Sequence, residues 1–146
     1  MPEPQNFKNH ARFDPPFHYF VLIVLILNFG FSIYATIHHW PNHADLFLWW
    51  IVMSLAFFVG FGKARAYALK AQDRIIRLEE TLRMKALLSP SDCGLIGQLA
   101  PGQFIALRFA SDAELPALTK RAVAEKLTPK QIKEAIVTWR PDYLRV

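Results

Sequence analysis

Two long runs of apolar residues dominate the first half of the chain. Residues 19–37 form the first run, without a formal charge, and as a helix they would extend about 28 Å, enough to cross the hydrocarbon core of a membrane. Residues 46–62 form the second run, about 25 Å long as a helix. Residues 38–45 between them leave room only for an antiparallel connection. The pattern therefore predicts a transmembrane helical hairpin with a short periplasmic or exterior link.

The second run continues without a proline or turn signal into a charged helical pattern that reaches Leu88. Apolar and small residues recur along it at alternating spacings of three and four, which is the repeat of a coiled coil. This seam consists of Phe61, Ala64, Ala68, Ala71, Ile75, Leu78 and Leu82. It fits a second copy in a parallel coiled coil or the chain's own C-terminal helices, and its shortness favours the latter. We expect one helix over residues 46–88, with 63–88 as a cytoplasmic extension.

Small and polar residues indicate where the predicted helices touch. In an antiparallel hairpin Asn28 lies at about the depth of Ser54, where an unpaired amide would be costly. We therefore expect Asn28 to contact Ser54 or another subunit. Small residues at every fourth position of the second span also let another helix approach closely. The predicted helix interface comprises Asn28, Ser54, Ala56, Gly60, Ala64, Ala68, Ile75, Leu78 and Leu82.

Charged residues fix the predicted orientation. Lys8 and Arg12 precede the first span, a basic cluster follows the second, and the link has neither Lys nor Arg, so both termini should face the cytoplasm. The cluster expected at anionic lipid headgroups is Lys63, Arg65, Lys70 and Arg74. Tryptophan is typical of membrane interfaces, and the candidates are Trp40, Trp49 and Trp50. Farther along the helix, Asp73 with Arg77 and Glu79 with Arg83 have the spacing of ion pairs on a solvated face.

Proline marks helix starts in residues 89–146. The pattern Leu-small-Pro occurs at Pro90, Pro101 and Pro129, and the last two extend to Leu-x-Pro-x-Gln through Gln103 and Gln131. Proline suits the first helical turn, and a Gln at this spacing can bond back to the cap. We expect a small cytoplasmic bundle of short helices near residues 91–98, 101–110, 113–126 and 129–139. The predicted fold class is all-α.

The first 18 residues contain four prolines and alternate polar with aromatic residues. This composition predicts an extended arm at the membrane surface, anchored through Phe7, Phe13 and Phe17. Asp14, just before Pro15 and Pro16, is the expected cap of the first helix.

Two segments resemble a known family: the opening FKNHARFDPPFHYF, and the C-terminal FIALRFASDAELPALTKRAVAEKLTPKQIKEAIVTWRPDYLRV joined to ARAYALKAQDRIIRLEETLRM. Together they resemble a family of small two-span bacterial membrane proteins of unknown function. The resemblance covers nearly the whole chain. It implies the two-span topology and no activity, substrate or catalytic residue.

All five histidines lie at or beside the ends of the first span. On the link side, His38, His39 and His43 with Asp45 are weak candidates for a divalent metal site. On the other side, His18 is a candidate axial ligand for haem or a pigment, although the second span has no histidine to complete a bis-His pair. Polar anchoring at the interface is the favoured reading, so we expect no cofactor.

The basic C-terminal part leaves nucleic acid as an alternative partner. Residues 63–146 carry a net charge of +6, and the candidate contacts are Lys120, Arg121, Lys126, Lys130 and Lys133. Residues 99–146 nevertheless hold eight basic against five acidic residues, and no predicted helix concentrates base-reading side chains on one face. A membrane-tethered nucleic-acid-binding regulator therefore ranks below an interaction protein.

The sequence has none of the common catalytic motifs, neither a Gly-rich phosphate loop nor His-Glu-x-x-His, and residues 63–146 contain no histidine. The interpretation that remains is a non-catalytic accessory, assembly or stabilising subunit of a larger membrane complex, for instance an energy-transducing one. Its expected partners are other membrane subunits or a second copy, together with anionic lipids.

Overall fold

The computed structural model describes residues 5–9 and 14–142. It confirms an all-helical fold. A π-helical segment, Pro16–Val21, leads into α1, and a 3-10 helix, Cys93–Gln98, precedes α3. The α-helices are α1 (Leu22–His38), α2 (Ala44–Leu87), α3 (Pro101–Leu107), α4 (Leu115–Ala124) and α5 (Pro129–Ala135). The described residues group into two compact units, 14–68 and 5–9 with 69–142, and α2 contributes to both.

The first helical stretch begins at the prolines, three residues before the predicted run. Pro16 lies in its first turn, where the missing N–H of proline costs nothing. Pro15 occupies the N-cap position expected for Asp14, and Asp14 Oδ1 accepts a long hydrogen bond from the Phe17 N–H at 3.5 Å. His18 Nδ1 lies 2.7 Å from the Asp14 carbonyl oxygen. The start of the helix is therefore held by backbone and side-chain contacts of Asp14.

The prediction of one helix through the second run is confirmed, since α2 runs uninterrupted from Ala44 to Leu87. No proline interrupts the segment, and its charged half is built from good helix formers. Asp45 lies in the first turn and Lys85 in the last, the signs that suit the helix dipole. The link before it contains a cis peptide between Trp40 and Pro41.

The hairpin unit buries little of its own surface. Its buried residues are small: Ser32, Ala35 and Ser54 are at most 2% exposed. Both helical stretches are long and apolar enough to cross a membrane, and only 11% and 6% of the residues in their most apolar windows are buried inside the structure. These helices are therefore unlike the core helices of a soluble domain, which bury such surface against other protein.

The second unit has a compact apolar core beneath α3, α4 and α5. The core residues are Met84, Leu88, Ile96, Leu99, Phe104, Ala106, Leu107, Phe109, Ala110, Leu115, Leu118, Ala122, Leu127, Ile132 and Ile136. α3 and α5 are shorter than predicted because residues 109–111 pair with residues 138–140. Phe109 O accepts from the Arg140 N–H at 2.7 Å, and Ser111 N–H donates to Thr138 O at 3.1 Å.

The two Leu-x-Pro-x-Gln motifs form two similar helix starts. Gln103 Oε1 accepts from the Ala100 N–H and Gln131 Oε1 from the Thr128 N–H, both at 2.8 Å. The motifs also contact each other, because a Cβ added at Gly102 would lie 3.0 Å from Cγ of Pro129. Gln103 is buried and donates to Leu127 O at 2.8 Å, whereas Gln131 is exposed.

The beginning of the chain joins the second unit instead of the hairpin. Gln5 Nε2 donates to Asp142 O at 3.1 Å, and Asp142 N–H donates back to Gln5 Oε1 at 2.8 Å. The expectation that Phe7 anchors an arm at the membrane surface stays a prediction. The expected roles of Arg12 and Phe13 lie outside the described residues.

Candidate interaction site on the long helix

A polar cluster joins α1 to α2 within the hairpin. Asn28 Nδ2 donates to Ser54 Oγ at 2.7 Å, which is the contact predicted from their common depth. The indole Nε1 of Trp50 donates to Asn28 Oδ1 at 2.9 Å, and Ser32 Oγ lies 3.3 Å from Ser54 Oγ. Ser54 Oγ also donates to the Trp50 carbonyl at 2.8 Å. Asn28 thus uses both ends of its amide inside the hairpin.

Sequence reasoning missed two members of this cluster. Ser32 lies one turn after Asn28, and Trp50 lies one turn before Ser54, so each pair shares a helix face. The four-residue spacing within each pair was the sequence signal from which Ser32 and Trp50 could have been assigned to the cluster. Trp50 was predicted only as an interface aromatic, whereas its ring nitrogen satisfies Asn28. Trp40 and Trp49 are exposed, at 64% and 60%.

The small residues of α2 face outward, away from the rest of the described chain. Ala56, Gly60, Ala64 and Ala68 are all exposed. A Cβ at Gly60 would meet no atom within 4 Å. The stripe therefore does not join the two helices of the hairpin, which contact each other at the Asn28 cluster. It remains accessible to another helix.

The seam is also exposed in the charged half of α2. Ile75, Leu78 and Leu82 are 56%, 62% and 60% exposed. The prediction that the C-terminal helices cover this seam is wrong. They cover instead a row spaced every four residues, which consists of Ile76, Glu80, Met84 and Leu88. Leu78 and Leu82 lie two residues either side of Glu80, about 160° away from it around the helix axis.

An ion-pair network holds that covered face. Arg83 Nη1 lies 3.0 Å from Glu80 Oε2, and Arg83 Nη2 lies 2.6 Å from Asp112 Oδ1 and donates to Ala110 O at 2.7 Å. Arg140 Nη1 lies 3.6 Å from the other Glu80 oxygen. These contacts tie α2 to the segment after α3 and to the chain end.

The predicted pairs along the helix are not formed. Arg83 binds Glu80 and Asp112 instead of Glu79, and the Arg77 guanidinium lies 5.6 Å above the Phe104 ring instead of pairing with Asp73. Both arginines turn toward residues that follow α2 in the chain: Arg83 toward Asp112 and the Ala110 carbonyl, and Arg77 toward the buried Phe104 ring.

Burial shapes the acid–base behaviour of this unit. The pKa of Glu80 is raised above its ordinary value because desolvation outweighs the attraction of Arg83 and Arg140. Asp92 behaves oppositely, because hydrogen bonds from Lys120 and Ser89 lower the pKa of its half-buried carboxyl. The Lys120 Nζ lies 2.8 Å from Asp92 Oδ2.

The predicted headgroup cluster divides in two. Arg65 is half-buried and pairs with Asp14 at 3.0 Å, with its guanidinium 5.1 Å above the Phe17 ring. It is therefore engaged within the hairpin, and its expected contact with lipid headgroups stays a prediction. Lys63, Lys70 and Arg74 are exposed, and Lys63 Nζ lies 6.0 Å above the Tyr67 ring.

The histidine candidates make aromatic contacts. The His38 ring lies 4.2 Å from Tyr34, and the His39 ring stacks on Phe47 at 5.2 Å. His43 and Asp45 are exposed. Within residues 5–9 and 14–142, side chains of His, Cys, Asp and Glu form no group of three or more placed to hold a metal ion.

The comparisons with known proteins agree with the resemblance seen in the sequence. The model of a family of unknown function, DUF6526, matches residues 1–146. No curated protein and no solved structure matches the chain. Any functional inference must therefore come from the surfaces and contacts of the molecule.

Proposed function

This chain belongs to DUF6526, a family of unknown function, and we propose that it is a non-catalytic integral membrane protein whose long helix binds other membrane subunits. The observation that carries the proposal is the open face of α2. Small residues line it from Ala56 to Ala68, and large apolar residues continue it from Ile75 to Leu82, all exposed. An apolar face of this length outside the protein core is typical of an interaction surface.

The proposed location is a bacterial inner membrane, with both termini in the cytoplasm. Support comes from the hairpin, whose outward side chains are apolar, and from the basic residues beyond its open end, Lys63, Lys70 and Arg74. These exposed cations would bind anionic headgroups. In this arrangement α2 carries the C-terminal unit on its cytoplasmic half.

The proposed role is accessory: assembly or stabilisation of a larger membrane complex. The hairpin satisfies its own buried polar groups through Asn28, Ser32, Trp50 and Ser54, so it can exist before its partner arrives. The open face of α2 is not packed against the rest of the hairpin. A helix packed closely on this face would make better van der Waals contacts than lipid does.

Gly60 gives a sharp test, because Gly60→Leu projects a side chain from the open face without meeting any atom of this chain. The matched control is Gly30→Leu on α1, where a Cβ likewise meets nothing within 4 Å. We expect Gly60→Leu to reduce co-purification of partner subunits in mild detergent, and Gly30→Leu to leave it unchanged. Equal recovery with both variants would contradict the proposal.

Crosslinking mass spectrometry in native membranes would name the partner. The exposed lysines Lys63, Lys70 and Lys85 on α2 are suitable attachment points. Crosslinks from these lysines to other membrane proteins are expected, and they should weaken in the Gly60→Leu variant. Crosslinks confined to soluble proteins would contradict a membrane-complex role.

A further inference from the structure

The apolar seam of α2 outside the hairpin is exposed and accessible to a binding partner. Ile75, Leu78 and Leu82 are more than half exposed although they lie in a charged, water-facing part of the helix. We propose that this partner is a second copy of the chain, joined through a parallel, in-register coiled coil of the two α2 helices. The inference rests on the proposed function, which places both copies in one membrane.

The heptad register of the seam suits two strands. Ile75 and Leu82 occupy a positions and Leu78 the d position between them, and Ala68 and Ala71 continue the same register toward the hairpin. A β-branched residue at a followed by Leu at d favours parallel dimers. Alanine at the flanking positions would bring the helices closer together there.

Charge complementarity supports the same pairing. In this register Arg74 is at a g position and Glu79 at the e position five residues later, the pair that meets between helices of a parallel dimer. Both side chains are exposed, and neither has an ion pair or hydrogen bond with any residue that the structure describes. Each dimer would therefore form two equivalent Arg74–Glu79 bridges between copies.

The C-terminal unit leaves the seam accessible. It packs on the row that contains Ile76, Glu80 and Met84, and Leu78 and Leu82 point to roughly the opposite side of the helix. Asp73, at the f position away from the seam, is exposed. Two copies could pair along the seam while each keeps its own C-terminal unit in place.

Insertion in one membrane would favour association of the two helices, for which a short coiled coil alone is marginally stable. A seam of this length is marginal for free helices in water. Two copies inserted with the same topology present their α2 helices in the same direction, and confinement to one membrane raises their effective concentration. Both effects favour the parallel arrangement over the antiparallel one.

Disulfide trapping tests the contact in the full-length chain. Cys93 is the only cysteine, so Cys93→Ala provides a cysteine-free background for Leu78→Cys at the seam and Asp73→Cys as the outward control. After mild oxidation in membranes, we expect about tenfold more covalent homodimer from Leu78→Cys than from Asp73→Cys, because a disulfide needs close Cα atoms. Equal yields, or a product with the mass of a different protein, would overturn the homodimer.

A charge swap tests the register. In the Leu78→Cys background, Arg74→Glu puts like charges opposite Glu79 and should lower the homodimer yield about threefold or more. Adding Glu79→Arg should restore the yield, because the swapped charges again meet between copies. No restoration would overturn the parallel, in-register pairing.

Carbonate extraction of the same membranes separates this inference from the proposed function. Homodimer failure in a chain that resists carbonate overturns the dimer and leaves a membrane interaction protein. A chain that carbonate removes contradicts the proposed function, and the dimer that rests on it fails as well.

Discussion

Asn28 and Ser54, 26 residues apart in the chain, are joined by a hydrogen bond of 2.7 Å between the amide nitrogen and the hydroxyl oxygen. This bond and the neighbouring Ser32–Ser54 contact set which parts of α1 and α2 face each other, because polar groups within two apolar helices bond to each other and not to lipid. The Trp50 indole closes the other side of the Asn28 amide. The hairpin is thus specified by polar contacts and small residues more than by large interlocking side chains.

Removal of the Asn28 side chain should loosen the hairpin. Asn28→Ala leaves the Trp50 N–H without its acceptor and should lower hairpin stability by about 1–2 kcal/mol. Thr36→Val is the matched control, since the Thr36 hydroxyl bonds only to Ser32 O one turn earlier in its own helix. Unfolding in mixed detergent micelles, followed by circular dichroism, measures both. Equal losses from the two variants would show that the contact between helices contributes nothing.

The Asp14–Arg65 pair should stabilise the hairpin at the end away from the link. Asp14→Asn is expected to cost about 1 kcal/mol, in the range of partly exposed ion pairs. Lys63→Gln, which removes a nearby exposed cation without a carboxylate partner among the described residues, should cost less. Both are measured by unfolding in vesicles of zwitterionic lipid. If the Asp14→Asn loss appears only with anionic lipid, Arg65 binds headgroups as first predicted.

The overall fold was largely predictable from the sequence because its main signals are long. Two apolar runs and a stretch without proline up to Leu88 sufficed to predict the hairpin and the continuous α2. The depth argument found the Asn28–Ser54 contact, and Pro101 and Pro129 marked two helix starts. The lengths of the later helices depended on long-range backbone pairing near Phe109, which leaves no local pattern.

The covered face of α2 could not be predicted because its central residue is charged. Glu80 interrupts an otherwise apolar row of Ile76, Met84 and Leu88, so the more continuous seam of Ile75 and Leu78 looked like the packed face. In the folded chain Arg83 and Arg140 reach the buried Glu80 carboxyl from two directions. Such compensation between distant residues is not visible in a single sequence.

Loss of the glutamine side chain should lower the free energy of unfolding by different amounts in the two Leu-x-Pro-x-Gln motifs, although their geometry is similar. Gln103→Leu leaves the Leu127 carbonyl and the Ala100 N–H unpaired beside the core and should cost about 2 kcal/mol. Gln131→Leu removes only an exposed cap contact and should cost about 0.5–1 kcal/mol. Urea denaturation in mild detergent gives both values. A larger loss from Gln131→Leu would contradict the assignment of Gln103 as the buried link between helix starts.

Arg83 should be the most sensitive charged residue in the second unit. Arg83→Met leaves Glu80 buried with only the more distant Arg140, and should cost about 3 kcal/mol in the same denaturation assay. Arg121→Met is the control, because Arg121 pairs with Glu125 on the exposed side of α4, and it should cost under about 0.5 kcal/mol. Similar losses would mean that the Arg83 network adds no more than a surface pair.

Glu80 should give the second unit a distinctive pH dependence. Because its pKa in the folded chain is raised above 4.5, the protonated form is favoured by folding. Its contribution to stability is complete below pH 4.5 and is lost as the pH rises through the folded-state pKa. Glu80→Gln stays neutral throughout, so its stability relative to the natural chain should increase as the pH rises from 4.5. Urea denaturation of both chains across this range measures the difference in their free energies of unfolding. The contributions of other carboxyls such as Asp92 are the same in both chains and cancel in this difference. A difference that decreases with rising pH would show that attraction to Arg83 and Arg140 outweighs the desolvation of Glu80.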